Sequence, residues 1–123
     1  MLLMSTSSRT TQSVLDHHLQ TFGAFDVEGI LADFSEDSAL VLPDVVLRGR
    51  QAIRGFFSQA FDEFRQPGTT FQLIATHVVG DCAFVVWSAE TAANTYELAA
   101  DTFLVRNGVI EVQTFAAKIT AKS

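Results

Sequence analysis

TFQLIATHVVGDCAFVVWSAETAANTYELAADTFLVRNGVIEVQTFAAKIT, residues 70–120, decides the fold of this chain. Along it apolar and polar residues alternate with a period of two, which sends successive side chains to opposite faces of an extended strand. The alternation is interrupted at Gly80-Asp81, near Ala93-Asn94 and at Asn107-Gly108. An Asn-Gly pair between two apolar runs is a strong hairpin signal. Four strands are predicted, over Thr70–Val79, Cys82–Thr91, Tyr96–Arg106 and Val109–Thr120, joined in order as an antiparallel meander.

Upstream the period changes to that of a helix. From Gly49 to about Arg65 the residues Ile53, Phe56, Phe57, Ala60, Phe61 and Phe64 share one face, and Pro67-Gly68 ends the run. Ser38 to Leu42 is a short apolar stretch stopped by the turn pair Pro43-Asp44. Before it lie two more helices. The first starts at Thr11, has hydroxyls for a cap at Thr10, Thr11 and Ser13, and faces inward with Val14, Leu15, His18, Leu19 and Phe22. The second is short, capped by Asp26, with Val27, Ile30, Leu31 and Phe34 inward and slightly weakened by Gly29. Residues 1–10 read as a polar leader and residues 11–123 as one domain. Three helices and a curved meander imply an α+β fold with the helices on one face of the sheet. A curled sheet covered in this way encloses a cavity at its open end.

Composition agrees with a packed globule, since 48% of residues are apolar and 18% charged. Eleven phenylalanines against one tyrosine and one tryptophan suit a core or an apolar cavity without hydrogen-bond partners. The formal charge of −6, with Arg48, Arg50 and Arg54 as the only basic concentration, argues against a nucleic-acid surface. The single cysteine, Cys82, cannot pair within the chain, and the apolar start Met1 to Met4 is too short for a signal segment or a membrane span. A cytoplasmic location is expected, with no membrane partner.

Polar residues on apolar faces are the candidates for chemistry. His18 stands four residues from both Val14 and Phe22, so an imidazole lies on the buried face of the first helix, while His17 points toward solvent. Asp101 is in phase with Phe103 and Val105, the more apolar side of its strand, where a carboxyl must pair or take up a proton. The remaining inward set is read as Phe34, Phe57, Phe61, Val86, Phe103, Val112 and Ala116, with Ser88, Glu90 and Thr114 as polar accents. Trp87 falls in the opposite phase from Val86 and Ser88 and is placed on the outer face as a dimer contact. No ligand set for a metal, phosphate loop, dinucleotide fingerprint or nucleophile elbow is present, so no cofactor is implied.

Three segments carry a family resemblance. Ala24-Phe25-Asp26-Val27-Glu28-Gly29-Ile30-Leu31-Ala32-Asp33-Phe34-Ser35-Glu36-Asp37-Ser38 resembles the second-helix segment of nuclear transport factor 2-like, SnoaL-like proteins, the superfamily that includes ketosteroid isomerase. Leu47-Arg48-Gly49-Arg50-Gln51-Ala52-Ile53-Arg54-Gly55-Phe56-Phe57 is similar to that group's opening of the third helix. Asp101-Thr102-Phe103, followed by Arg106-Asn107-Gly108-Val109-Ile110, resembles its last hairpin. The resemblance implies a cone-shaped, cystatin-like α+β barrel around an apolar cavity, a homodimer through the outer face of the sheet, and a small apolar molecule as partner. It does not imply one function, because the group includes isomerases, polyketide cyclases, dehydratases and non-catalytic modules.

Compared with the isomerase, Asp101 aligns with an oxyanion-binding aspartic acid kept neutral by its apolar site. His18 falls where that enzyme has an oxyanion-binding tyrosine. Leu42 stands where it has its proton-shuttling aspartate, and Asp44 sits in the turn beyond. Two chemistries stay open: a neutral Asp101 and His18 hold a developing enolate oxygen, or an ionised Asp101 orients His18 as a general base. Both make the chain an isomerase, cyclase or dehydratase acting on a small carbonyl or hydroxyl compound. The missing carboxylate at Leu42 supports the alternative, a non-catalytic ligand-binding or dimerisation module of the same fold.

Overall fold

The computed structural model describes residues 9–123. The leader expected over residues 1–10 therefore lies outside the described residues up to residue 8, and Thr10 is already the N-cap of the first helix. In order the elements are α1 (Thr11–Gly23), α2 (Val27–Leu31), β1 (Phe34–Val41), β2 (Val46–Arg48), α3 (Gly49–Phe64), β3 (Thr70–Val79), β4 (Cys82–Glu90), β5 (Asn94–Arg106) and β6 (Val109–Ala121).

Local chemistry places the helix starts. Thr10 and Ser13 form a reciprocal capping box, each side chain accepting from the other's backbone N–H. Asp26 caps α2 by accepting from Gly29 N–H at 2.9 Å. A Cβ at Gly29 would sit 2.3 Å from the Asp26 Oδ2, so the residue that weakens the helix by propensity is the one its cap requires.

The sheet runs β2-β1-β6-β5-β4-β3. β3 to β6 form the antiparallel meander, turning at Gly80 and at Asn107-Gly108, where φ is 58°, 54° and 76°. At Asn107-Gly108 positive φ at both central residues gives the mirror-image turn that matches strand twist. The apolar stretch around Ser38–Leu42 becomes a longer strand, which pairs with β6 in parallel and with β2 antiparallel. The sheet is therefore mixed rather than antiparallel throughout, and it stays open at its edges. Register shifts between Trp87 and Ala89, Tyr96 and Leu98, and Leu104 and Val105 mark bulges that increase its curl.

All three helices pack into the concave face. Ile53, Phe57 and Phe61 of α3 meet Val14 and Leu15 of α1, Ile30 of α2, and Phe34, Leu40, Val85, Phe103 and Ile110 of the sheet, each at most 2% exposed. Beneath α1 the carboxyl of Asp33, fully buried, accepts from Arg9 and bonds His17 Nδ1 at 2.8 Å. His17, read from sequence as solvated, is thus half-exposed but tied down by its bond to the Asp33 carboxyl.

Candidate functional site

Helices and sheet leave a hollow of about 260 Å³ between α1, α3 and the middle of the meander. The first helix contributes His18 to it and the fifth strand Asp101, so the two side chains that stood out in the sequence share one cavity wall.

His18 is buried among phenylalanines, edge-on to Phe34, Phe57 and Phe103, with ring centroids 6.2, 5.7 and 4.9 Å away. Its Nδ1 is buried without a hydrogen-bond partner. Burial pulls the imidazole down to about 4; the charge of Asp33 pulls it back up and His17 adds to the lowering. At neutral pH the ring is uncharged.

Asp101 is held from two neighbouring strands. Trp87 Nε1–H donates to its Oδ2 at 2.7 Å, and Gln113 Nε2 donates to its Oδ1 at 3.1 Å. Burial pushes the carboxyl up to about 6 against these two hydrogen bonds, which favour the charged form. The Gln113 Oε1 is buried and unpartnered, like the His18 Nδ1.

Sequence reading missed a second polar pole on the same cavity. Glu63 of α3 accepts from Thr91 Oγ1 at 2.7 Å, from Asn94 Nδ2 at 2.9 Å and from the Tyr96 hydroxyl at 2.9 Å. Burial raises the Glu63 carboxyl, but the bonds from Asn94, Thr91 and Tyr96 outweigh it and hold the group below its ordinary value. Burial and the acceptor Glu63 push the Tyr96 phenol well above its usual range. Glu63 escaped notice because it stands next to Phe64 at the rim of an amphipathic helix, where a glutamate reads as solvated. The signal that could have raised it is the cluster Thr91, Asn94 and Tyr96 around one turn.

Several sequence expectations about the lining change. Phe57 and Phe103 line the cavity, whereas Phe34 and Phe61 are solid core and Leu42 packs at the core's margin. Val86, Ser88 and Glu90 lie on the outer face, and Trp87 lies inside. The register settles this: Val85 pairs with Asp101 and Trp87 with Ala99, and directly paired residues share a face. In β4 both phases are apolar, with Ala83, Val85 and Trp87 against Phe84 and Val86, so alternation alone could not choose between them. Val112, Thr114 and Ala116 also lie outside, opposite Leu104, Thr102 and Ala100, while Gln113 and Phe115 point inward. Counting by twos from buried Ile110 fails because the bulge next to the hairpin reverses the phase. Trp87 is therefore no dimer contact. It is the centre of the cavity floor, beside Phe71, Tyr96 and Phe115 at centroid distances of 5.3, 5.5 and 6.0 Å.

Asp44 is exposed in the turn after β1. Among the described residues no cluster of three or more His, Cys, Asp or Glu could hold a metal ion, and no helix is long and apolar enough to cross a membrane.

A model of the SnoaL-like domain matches residues 15–113. The chain belongs to the SnoaL-like family. No curated protein matches this SnoaL-like chain in sequence. Solved structures share its fold. A nuclear transport factor 2-like protein from Mesorhizobium loti superposes with a TM-score of 0.75 at 24% identity, over 88% of this chain and 90% of that one. SalBIII, an epoxide hydrolase/cyclase-like enzyme of pyran ring formation in the polyether salinomycin, gives 0.76 at 17% identity over 91% and 95%. A candidate ketosteroid isomerase from Kribbella flavida gives 0.73 at 16% identity over 92% and 81%. At these identities the likeness establishes the fold of the SnoaL-like chain, and its chemistry must be argued from its own residues.

Proposed function

We propose that this SnoaL-like domain is an enzyme that moves a proton on a small, mostly apolar carbonyl- or hydroxyl-bearing compound, in an isomerisation, cyclisation or dehydration that needs no cofactor. One observation carries the reading: an uncharged imidazole with an unpartnered nitrogen and a carboxyl of raised pKa line the same apolar hollow. Buried groups tuned in this way are what acid–base sites require. Asp101 is ionised above about pH 6 and is more basic than an exposed carboxylate, which suits it to take the proton. Neutral His18 then donates a hydrogen bond to the oxygen on which charge develops. The bonds of Asp101 go to Trp87 and Gln113, which favours its acting on the ligand over its orienting His18. Asp101 thereby fills the role left vacant at Leu42. The names of SalBIII and the Kribbella flavida protein fall in the same range of reactions.

The test is α-proton exchange. Small cyclic ketones in D₂O, followed by proton NMR, should exchange faster with the wild type. The gain should drop by about a hundredfold or more in Asp101→Asn and in His18→Phe, with circular dichroism unchanged. Both variants exchanging at the wild-type rate would remove these two residues from the chemistry. The alternative, a non-catalytic ligand-binding module, rests on Leu42 and predicts bound ligand with no exchange. In either case the partner on the outer sheet face is a second copy of the chain, seated on Phe84, Val86, Leu104 and Val112, and the single cysteine fits a cytoplasmic protein.

A further inference from the structure

Asp33, the carboxylate this fold buries for structure, is given a cation, Arg9. The two carboxylates of the cavity are treated differently. Asp101 is bonded by an indole and an amide, Glu63 by two side-chain hydroxyls and an amide, and all of these donors are neutral. Among the described residues no lysine or arginine lines the hollow, and its one imidazole is uncharged at neutral pH. The ammonium of Lys122 is directed at the Thr91 carbonyl oxygen and Glu90 instead. Hydrogen bonding at Glu63 is already satisfied, so what the wall lacks is positive charge rather than donors.

The rest of the wall suits a cation as well. Trp87 and Tyr96 lie between the two carboxylates, with Phe64 closing over both at centroid distances of 6.1 and 5.2 Å. Aromatic faces attract an organic cation through the ring quadrupole, most strongly where water is excluded. An anionic ligand would meet two negative charges with no lysine or arginine among the described lining residues to offset them.

We propose that the molecule this cavity takes carries a positively charged amine, seated against Trp87, Tyr96 and Glu63, with its reactive carbonyl or hydroxyl end toward His18 and Asp101. This rests on the reading that the hollow is a small-molecule site, and it names the substrate class. A volume of about 260 Å³ restricts that class to compact amines, below the roughly 300–1,000 Å³ typical of sites for drug-sized ligands. The net charge of −6 steers such a ligand toward the protein.

Trp87 is the sole tryptophan of the chain, so its emission reports on this site alone. The experiment titrates wild-type protein at pH 7.5 with phenyltrimethylammonium, with tert-butylbenzene (the same shape without the charge) and with benzoate. The expected order is the ammonium ion about tenfold or more tighter than the hydrocarbon, with benzoate weakest. Glu63→Gln should reduce the preference for the cation several-fold while leaving tert-butylbenzene unchanged. Tert-butylbenzene binding as tightly as the cation would overturn the amine assignment and leave the small-molecule site standing. A preference that survives Glu63→Gln would overturn the role given to that carboxylate, and no response to any of the three probes would overturn both the amine and the site.

Discussion

The indole of Trp87 donates to the Oδ2 of Asp101 at 2.7 Å across the pairing of β4 and β5, with both side chains no more than 7% exposed. This bond joins the two poles of the cavity, because the same indole packs against Tyr96, whose hydroxyl is held by Glu63. It also sets the character of Asp101. A carboxyl buried with no partner would stay protonated at neutral pH; one with two donors is returned to a pKa within reach of physiological conditions.

Replacing Trp87 by Phe keeps a ring on the cavity floor and removes one donor. A hydrogen bond to a charged group contributes about 1.5–3 kcal/mol, and about 1.4 kcal/mol corresponds to one pKa unit, so the Asp101 pKa should climb from about 6 by roughly one unit or more. A carbon-13 NMR titration of the aspartate carboxyls reads this directly. A carboxyl that titrates where it did before would mean that the indole does not stabilise its charge.

His18 and Asp101 make opposite contributions to stability as pH changes. The folded pKa of Asp101 is raised from 3.8 to about 6, so the native state binds the extra proton in that window and stability falls as pH rises through it. The folded pKa of His18 is lowered from 6.5 to about 4, so there the unfolded state binds the extra proton and stability rises with pH. Each shift of about 2 units corresponds to about 3 kcal/mol, and between pH 4 and 6 the two slopes offset each other. Urea denaturation across pH 4–7 separates them. Asp101→Asn should gain stability relative to wild type as pH rises, and His18→Phe should lose its advantage. Parallel curves for all three proteins would contradict the burial of both groups.

The fold was legible because its signals are local. The Asn107-Gly108 turn, the period-two runs and the phenylalanine face of α3 each specify an element without reference to the others. His18 and Asp101 were legible for a related reason: a polar side chain among apolar neighbours at the right spacing marks itself. The inner faces of β4 and β6 were not legible. Phe84 and Val86 are as apolar as Val85 and Trp87, so hydrophobicity offers no contrast, and the bulge before Gln113 shifts the phase without leaving a trace in composition. Glu63 depends on partners 28 to 33 residues away, which spacing on its own helix cannot reveal.

Asp33 should be the most sensitive polar position outside the cavity. Its carboxylate joins Arg9 and His17, while its backbone carbonyl accepts from Ile110 N–H at 2.7 Å and ties α2 to β6. Asp33→Ala should cost about 3 kcal/mol, since it removes two charge-assisted bonds and opens a hole in a fully buried place, whereas His17→Ala at the half-exposed end should cost about 1 kcal/mol. Urea midpoints decide the order. Equal losses from the two variants would show that the buried carboxylate is not the hub.

Correcting the phase of β4 changes which residues the proposed dimer would bury. With Trp87 turned inward, the convex face offers Phe84 at 40% exposure, flanked by Val86 and by Thr102 and Leu104 of the next strand. This surface is apolar enough to associate and contains no buried charge to forbid it. Val86 sits in its middle and does not line the cavity. Val86→Arg should therefore place two like charges near a two-fold axis and dissociate the dimer, lowering the mass seen by light scattering from twice 13.4 kDa to 13.4 kDa. Cavity binding, followed by Trp87 emission, should persist in the variant because the substitution points the other way. A wild type that already scatters as a 13.4 kDa particle at high concentration would remove the sheet-face dimer.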